Sequence, residues 1–221
     1  MAVTLAEEIM LLSLDDASGE AKERQSAAWA VAGGILLDLA LAGRVAVDGG
    51  RIRVTDPAPT GVPLLDERLR MVTVWAAGRK QAPKVTQWLT KDHTKAVPAT
   101  VDSLRGRGLV HAEQRKVLGL FPVTRYPEAD GSAERELRDR LRAVVLGGAE
   151  PDARTAGLLA LVHGAKLHRL AFPDVPRKQV APRLEQITEG QWVAEGVRKA
   201  IRDLQSAMAA VTVATTVAAV G

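Results

Sequence analysis

The chain has 221 residues, of which 47% are hydrophobic, and this is enough for one large domain with a sizeable core. Only 3% are aromatic, so Leu, Val, Ile and Ala must fill the core, which favours packed helices over a β-sandwich. Because there is no cysteine, disulfides and thiolate metal sites are excluded. The net charge of +4 permits an anionic partner, either lipid headgroups or nucleic acid.

The N-terminal part of the chain predicts two helices. Thr4 and Glu7 have the spacing of a capping box, in which a hydroxyl and a carboxylate satisfy free amides at a helix start. A second helix is predicted over residues 22–42 and is apolar on nearly all sides, so we expect it to be buried. Gly33 and Gly34 interrupt it at a cost in helix propensity, which indicates that another helix approaches closely there.

The remainder predicts further helices and two small hairpins. Residues 44–54 alternate apolar and polar positions around a Gly-Gly pair, as is typical of a tight β-hairpin. A longer hairpin is predicted over residues 109–125, with its turn near Gln114 and Arg115 and an apolar second strand over 116–123. Helices are predicted at residues 64–75, 84–91, 98–107, 133–146, 152–163, 177–188 and from 191 onward. The expected fold is mostly α, in a single domain over residues 1–221 with small β-hairpins.

No pattern in the sequence indicates catalysis or metal binding. The histidines do not form an HExxH motif, and His163 and His168 are five residues apart, so they do not share a helix face well. Adjacent carboxylates such as Asp66 and Glu67 point apart and do not form an acid–base pair by spacing alone. The glycine patterns of nucleotide-binding loops and of hydrolase nucleophiles do not occur. We therefore expect no enzyme activity, no cofactor and no metal site.

The segment RKQAPKVTQWLTKDHTK, residues 79–95, concentrates basic residues around Trp88. A tryptophan beside lysines is typical of a membrane-interface contact. In the alternative interpretation Trp88 belongs to the core and the lysines are ordinary solvated surface. The order helix, helix, hairpin over residues 84–125 also resembles a winged helix, in which residues 98–107 would read DNA. That helix offers few side chains able to contact bases.

Four segments together resemble the Golgi phosphoprotein 3 family. They are the leucine-rich residues 5–14, GGILLDLALAGRV at 33–45, DPAPTG at 56–61 with the following LLDE, and LLALVHGA at 158–165. The resemblance runs in order over most of the chain. It implies an all-α fold with a central helical bundle, surrounding amphipathic helices and a protruding apolar β-hairpin, here at about 109–123. Family members bind phosphatidylinositol 4-phosphate in a basic pocket and act as adaptors for cytosolic tails of Golgi enzymes.

The chain departs from the family at that lipid pocket. Relatives use one Trp and three Arg, at positions that correspond here to about Glu23, Ala32, Thr94 and Val97. None matches, so none is carried over, and most of the charge that binds a phosphoinositide is missing. In one explanation, nearby residues have taken over as headgroup ligands, the candidates being Lys22, Arg24, Lys91, His93 and Lys95. In the other, the chain binds anionic membrane, or a protein, without headgroup specificity.

We therefore expect a cytoplasmic protein that binds peripherally to the cytosolic face of a membrane. Its expected partners are anionic lipid, the cytosolic tails of membrane proteins, and a second copy bound through the hairpin at 109–123. Leu118, Leu120 and Phe121 would make that hairpin contact, either with the membrane or with the second copy. Nucleic acid is not expected as a partner. The alternatives are a winged-helix-like DNA-binding protein and a protein-binding scaffold without lipid binding.

The remaining sequence signals concern targeting and origin. The N-terminus lacks the basic start of a signal peptide, and no stretch reaches the ~20 apolar residues that a membrane span needs. The Ala-, Arg- and Gly-rich composition is typical of a bacterial protein. Because a bacterium has no Golgi, the composition favours general anionic-lipid or protein binding as the physiological role.

Overall fold

Nine helices and two antiparallel hairpins make up the part of the chain that the computed structural model describes, which is residues 3–14, 22–117, 121–127, 129, 131–189 and 195–218. Helix accounts for 67% of the structure, and the mostly α prediction is confirmed. The elements are α1 (Leu5–Ser13), α2 (Arg24–Leu41), β1 (Val45–Asp48), β2 (Arg51–Val54), α3 (Pro63–Ala77), α4 (Val85–Gly106), β3 (Glu113–Val117), β4 (Phe121–Arg125), α5 (Ser132–Val145), α6 (Ala153–Gly164), α7 (His168–Ala171), α8 (Arg177–Glu189) and α9 (Glu195–Ala218).

Helix α2 lies in the middle of the hydrophobic core. Each of its residues from Ala27 to Leu39 is buried, and α1, α4, α6 and α9 pack around it. A methyl group at Gly34 would lie 2.9 Å from the backbone nitrogen of Ala6 in α1. A methyl group at Gly33 would lie 2.7 Å from the Met208 Cε atom of α9. The predicted close approach is therefore confirmed for two helices on two sides of α2.

The start of α1 is joined to α4 by a buried carboxylate. The predicted capping box is present, because the Thr4 amide donates to Glu7 Oε2 at 2.7 Å and the Glu7 amide donates to Thr4 Oγ1 at 3.2 Å. Glu7 also accepts from Ser103 Oγ at 2.8 Å and from Arg107 Nη1 at 3.0 Å. One side chain therefore both caps α1 and fixes it to the end of α4.

A second buried charge cluster joins α1 to α2, α5 and α6. Arg154 of α6 pairs with Asp38 of α2 at 2.6 Å, and its Nε atom lies 3.7 Å from Glu8 Oε1. Arg140 of α5 donates to the same Glu8 oxygen at 2.9 Å. Burial raises the pKa of Asp38 to about 6, against the opposing effects of Arg154 and of the Leu5 amide, which donates to Asp38 at 2.7 Å.

The first hairpin, β1–β2, forms as predicted and is extended by the loop before α4. Its turn uses Gly49 and Gly50, both with positive φ, as a two-residue connection requires. The Ile52 side chain is buried, and its amide donates to the Pro83 carbonyl at 2.8 Å. The Val85 amide donates to the Gly50 carbonyl, also at 2.8 Å. The loop that leads into α4 is therefore held along β2.

The prediction of two helices between residues 84 and 107 is wrong, because α4 is continuous over that region with Pro98 inside it. Proline removes one backbone hydrogen bond and is disfavoured inside helices. Here buried positions continue at helical spacings of three and four through Pro98, with Leu89 and Ala96 buried before it and Thr100 and Leu104 buried after it. Pro98 itself is exposed. The winged-helix interpretation needed a separate recognition helix at 98–107, and the structure has none.

The second hairpin forms within the predicted region but with another turn. Strands β3 and β4 pair antiparallel, with Glu113 opposite Arg125 and Val117 opposite Phe121. Gln114 and Arg115 lie inside β3, so the prediction of a turn at those residues is wrong, as is that of one strand over 116–123. The connection falls at residues 118–120, outside the described part of the chain.

Candidate anionic-ligand surface

Two of the predicted ligand residues lie on the solvent-facing side of α4. Lys91 and Lys95 are both exposed and lie one helical turn apart, so their side chains project from the same face. Neither forms an ion pair with any carboxylate of the described residues. Their ammonium groups are therefore available to an anionic partner. We call this pair the α4 lysine surface.

His93 lies at the junction of α4 and α2. Its ring stacks on the indole of Trp29, with ring centroids 3.9 Å apart and planes inclined by 14°. His93 Nδ1 lies 3.2 Å from the Leu89 carbonyl oxygen and 3.1 Å from that of Thr90. Since a carbonyl oxygen can only accept, Nδ1 carries a proton, and Nε2 is the ring nitrogen left for a ligand.

A buried ion pair lies beneath the α4 lysine surface. The Asp92 side chain is fully buried, and its Oδ1 atom is 3.6 Å from Nη1 of Arg68 in α3. Arg68 also donates to the Lys95 carbonyl at 2.6 Å, which anchors α3 to this part of α4. Burial raises the pKa of Asp92, while Arg68 and then Lys95, His93 and Lys91 oppose the rise. Because Arg68 balances Asp92, the two lysines supply the net charge of the surface.

The other two predicted ligands lie where α2 begins. The Lys22 amide donates to the Ser13 carbonyl at 2.7 Å, and Ser13 Oγ donates to the Lys22 carbonyl at 3.0 Å, so this backbone is fixed to the end of α1. The side chains of Lys22 and Arg24 are exposed, but each residue has further partners. Neither counts as an unpaired cation, so the α4 lysine surface is defined without them.

The four positions that the resemblance places at the family's lipid pocket carry neither tryptophan nor arginine in this chain. Glu23 is an exposed carboxylate in the left-handed conformation, with φ of 48°. Ala32 is completely buried in α2, Thr94 is exposed and Val97 is partly buried. A headgroup at this place would find no guanidinium from these four positions.

Trp88, which suggested a membrane interface, is part of the core. Only 1% of its surface is exposed, and its ring lies 5.3 Å from that of Trp75. The membrane-interface interpretation of Trp88 is wrong, and the alternative, in which it fills the core, is confirmed. Lys91 and Lys95 follow it by three and seven residues, so the lysines leave α4 at the solvent-exposed edge of the face that buries Trp88.

The proposed hairpin contact falls largely outside the described residues. Leu118 and Leu120 are not among them, and Phe121 is described only as the first residue of β4. The contact therefore stays a prediction from sequence.

His163 and His168, whose spacing does not place them on one helix face, are in contact. His163 lies in the last turn of α6, His168 begins α7, and the turn between them brings His168 Nε2 to 3.3 Å from His163 Nδ1. Burial lowers the pKa of both imidazoles, that of His168 to about 4. Across the described ranges, no group of three or more His, Asp or Glu side chains could hold a metal ion.

A second set of cations, at the first turn of α4, was not selected as a site from the sequence. Arg51 and Arg53 of β2 lie near Arg79, Lys80 and Lys84 of the loop before α4. The sequence signal for the loop was present in the run RKQAPK. The contribution of β2 depends on pairing between distant segments, which residue spacing does not predict.

The Golgi phosphoprotein 3 (GPP34) family model matches residues 5–204 of the chain. The matched range includes the α4 lysine surface, both hairpins and the first part of α9. No curated protein is similar enough to the chain to be a match. Among the described helices, none is long and apolar enough to cross a membrane.

Proposed function

We propose that this chain, which belongs to the Golgi phosphoprotein 3 (GPP34) family, is a peripheral adaptor that binds anionic phospholipid at the cytosolic face of a membrane. The family is one of non-enzymatic adaptors that bind lipids and proteins. The observation that supports the proposal is the α4 lysine surface. Two exposed ammonium groups project from one helix face, and neither is neutralised by a carboxylate of the described residues.

The chemistry of this surface favours a charged leaflet over one particular headgroup. A phosphoinositide pocket needs several convergent donors, and arginine is suited to it because its planar guanidinium binds phosphate through two hydrogen bonds. The α4 lysine surface instead offers two flexible point charges. A leaflet of many anionic lipids satisfies such charges without fixed geometry, at ~1 kcal/mol per Lys near the surface.

Further contacts would add to these two. The apolar hairpin with Leu118, Leu120 and Phe121 is the second proposed contact, by insertion into the interface or by self-association. His93, which lies at the junction of α4 and α2, is a further proposed contact. Once the chain is held at the membrane, cytosolic tails of membrane proteins are the proposed clients.

The test is co-sedimentation with vesicles of phosphatidylcholine that contain phosphatidylserine, using the double variant Lys91→Ala/Lys95→Ala. At ~1 kcal/mol per lysine, its partition coefficient should fall about 30-fold. The matched control is Arg169→Ala/Lys178→Ala, which removes the same charge from exposed positions on α7 and α8. Equal losses in the two variants would mean that only net charge matters and that α4 has no special role.

The two alternative functions predict different outcomes for the same wild-type and variant proteins. A scaffold that binds only protein would not sediment with anionic vesicles. A DNA-binding protein would shift duplex DNA at moderate salt, and the double variant would weaken that shift instead of vesicle binding.

A further inference from the structure

At the first turn of α4 lies a concavity of about 410 Å³ whose charged lining is entirely basic. Its cations are Arg51, Arg79, Lys80 and Lys84, which we call the basic cavity. They come from three elements: strand β2, the loop after α3 and the start of α4. A neighbouring concavity of about 320 Å³ shares Arg79 and Lys80 and adds Arg53. No carboxylate lines either space.

The fold positions one wall of the basic cavity through backbone pairing. The Ile52 amide of β2 donates to the Pro83 carbonyl, and the Val85 amide donates to the Gly50 carbonyl in the turn before β2, so the loop and the hairpin form one framework. Because Ile52 points into the core, Arg51 and Arg53 lie on the opposite, solvent-facing side of β2. Arg51 Nη1 donates to the Ala82 carbonyl at 2.6 Å, which fixes its guanidinium against the loop.

The other wall is positioned by the partly buried Trp75, which packs against the core. The Arg79 guanidinium carbon lies 4.3 Å from the ring centroid of Trp75, as in a cation–π contact. Trp75 in turn packs against Trp88 of the core. Two guanidinium groups are therefore held in place before any ligand arrives, which lowers the entropy lost on binding.

The charge of the basic cavity is not neutralised by nearby acids. None of its four cations forms an ion pair within the ranges that the structure describes. Two carboxylates near this hairpin have other partners: Asp48 pairs with Lys199 at 2.6 Å, and Asp203 accepts from the Gly50 amide at 3.1 Å. Like charges gathered in one place repel each other, and a bound anion would relieve that repulsion.

We propose that the basic cavity binds a phosphomonoester group, carried either by a lipid headgroup or by a free phosphate compound. A phosphomonoester is nearly dianionic at neutral pH and has three acceptor oxygens, which matches two fixed guanidinium groups and two mobile ammonium groups. The N-terminal end of α4 adds its positive dipole end. Lys84 precedes Lys91 by roughly 10 Å of helix rise, so this site is separate from the α4 lysine surface.

The proposal is tested without membranes, by titrating inorganic phosphate at constant ionic strength and following the backbone amide NMR shifts. Phosphate should shift the amides around Lys80 and Lys84 and raise the melting temperature. In Lys80→Ala/Lys84→Ala the apparent affinity should fall at least about tenfold, because charge-assisted hydrogen bonds are lost. Arg169→Ala/Lys178→Ala should bind phosphate like the wild type.

Folding of the variant is checked by its own melting temperature, which should equal or exceed that of the wild type because like charges have been removed. Lys80→Gln/Lys84→Gln is the second variant, and it should lose phosphate binding in the same way. The proposal would be overturned if phosphate changed the amide shifts no more than chloride does, or if wild type and variants bound phosphate with equal affinity. Binding of duplex DNA by this cavity with no response to phosphate would overturn it too.

Vesicles distinguish the two sources of the phosphate. Phosphatidic acid presents a phosphomonoester, whereas phosphatidylserine at matched surface charge does not. If the ligand is a lipid headgroup, the wild type should prefer phosphatidic acid and Lys80→Ala/Lys84→Ala should lose that preference. If it is a free phosphate compound, the two vesicle types should bind alike while the NMR response persists. Failure of vesicle binding as a whole would contradict the proposed function but leave the phosphate titration intact.

Discussion

Replacement of Arg154 by methionine tests the buried charge cluster that fixes α1. Arg154 pairs with Asp38 at 2.6 Å, donates to the Val3 carbonyl and lies 3.7 Å from Glu8. The two carboxylate side chains are each only 6% exposed, so without Arg154 they become poorly compensated charges inside the protein. Breaking a buried pair by removing one partner costs about 3–5 kcal/mol.

The expected loss lies at the lower end of that range. Asp38 keeps the Leu5 amide as a donor, and Glu8 keeps Arg140. The Arg154 side chain is itself 29% exposed, so water screens part of the interaction. We expect Arg154→Met to lower the free energy of unfolding by about 3 kcal/mol at pH 8, measured by urea denaturation followed by circular dichroism.

The pH dependence of that loss has a definite sign. Burial raises the pKa of Asp38 from 3.8 to about 6. Its contribution to stability is thus fully present below pH 3.8 and is lost as the pH rises through 6. Arg154 opposes the rise, so without it the folded-state pKa of Asp38 climbs further and the decline extends to higher pH. Arg154→Met should therefore be less destabilising at pH 5 than at pH 8.

Two controls accompany the experiment. Asp38→Asn in the Arg154→Met background should remove most of the extra pH dependence, because the amide does not titrate. Arg169→Met, at an exposed position, should change stability little. A loss from Arg154→Met that is equal at both pH values, or larger at pH 5, would refute the assigned role of Asp38.

The remaining predictions concern packing and histidine. Gly34→Ala should lower the free energy of unfolding by about 1–3 kcal/mol, because the new methyl group would meet the backbone of α1. Gly33→Ala should lower it less, because its methyl group meets the flexible end of Met208. Equal losses of the two variants in thermal unfolding would contradict the close approach of α1. Burial and His163, with Arg177, lower the pKa of His168 to about 4, so its contribution to stability is present above pH 6.5 and is lost as the pH falls towards 4. Between pH 7 and 4 this effect should lower the free energy of unfolding of the wild type by about 1–3 kcal/mol, and His168→Gln should reduce that loss. If the variant and the wild type lost the same stability over this pH range, His168 would not titrate on unfolding.

The N-terminal half of the fold was predictable because its signals are local. Thr4 and Glu7 cap a helix through residues three apart, and the Gly49-Gly50 pair defines a tight turn. The buried face of α2 follows from an uninterrupted apolar run. Such signals act within one or two helical turns, so distant parts of the chain do not override them.

The errors lie where tertiary packing outweighs local preference. Pro98 predicted a helix boundary, but the buried stripe of α4 continues through it, and burial of Val101 and Leu104 outweighs one lost hydrogen bond. Trp88 among lysines indicated a membrane interface, yet tertiary packing buries its ring beside Trp75 while Lys91 and Lys95 stay exposed. Lys91 and Lys95 are exposed in the structure, and the sequence could not show that Lys22 and Arg24 have other partners.

The basic cavity depends on long-range pairing. Arg51 approaches Lys84 only because β2 pairs with the loop before α4, and Arg79 is oriented by Trp75. Neither relation has a fixed sequence spacing, so a single sequence predicts the charges but not their convergence.

The central claim, that an unpaired cationic surface binds anionic lipid, is tested most directly by co-sedimentation of the wild-type chain over a salt series. Binding to phosphatidylcholine vesicles should require added phosphatidylserine and should weaken steadily as salt rises, because the charges are screened. Binding that ignores lipid charge and salt, or no binding to anionic vesicles at low salt, would contradict the account.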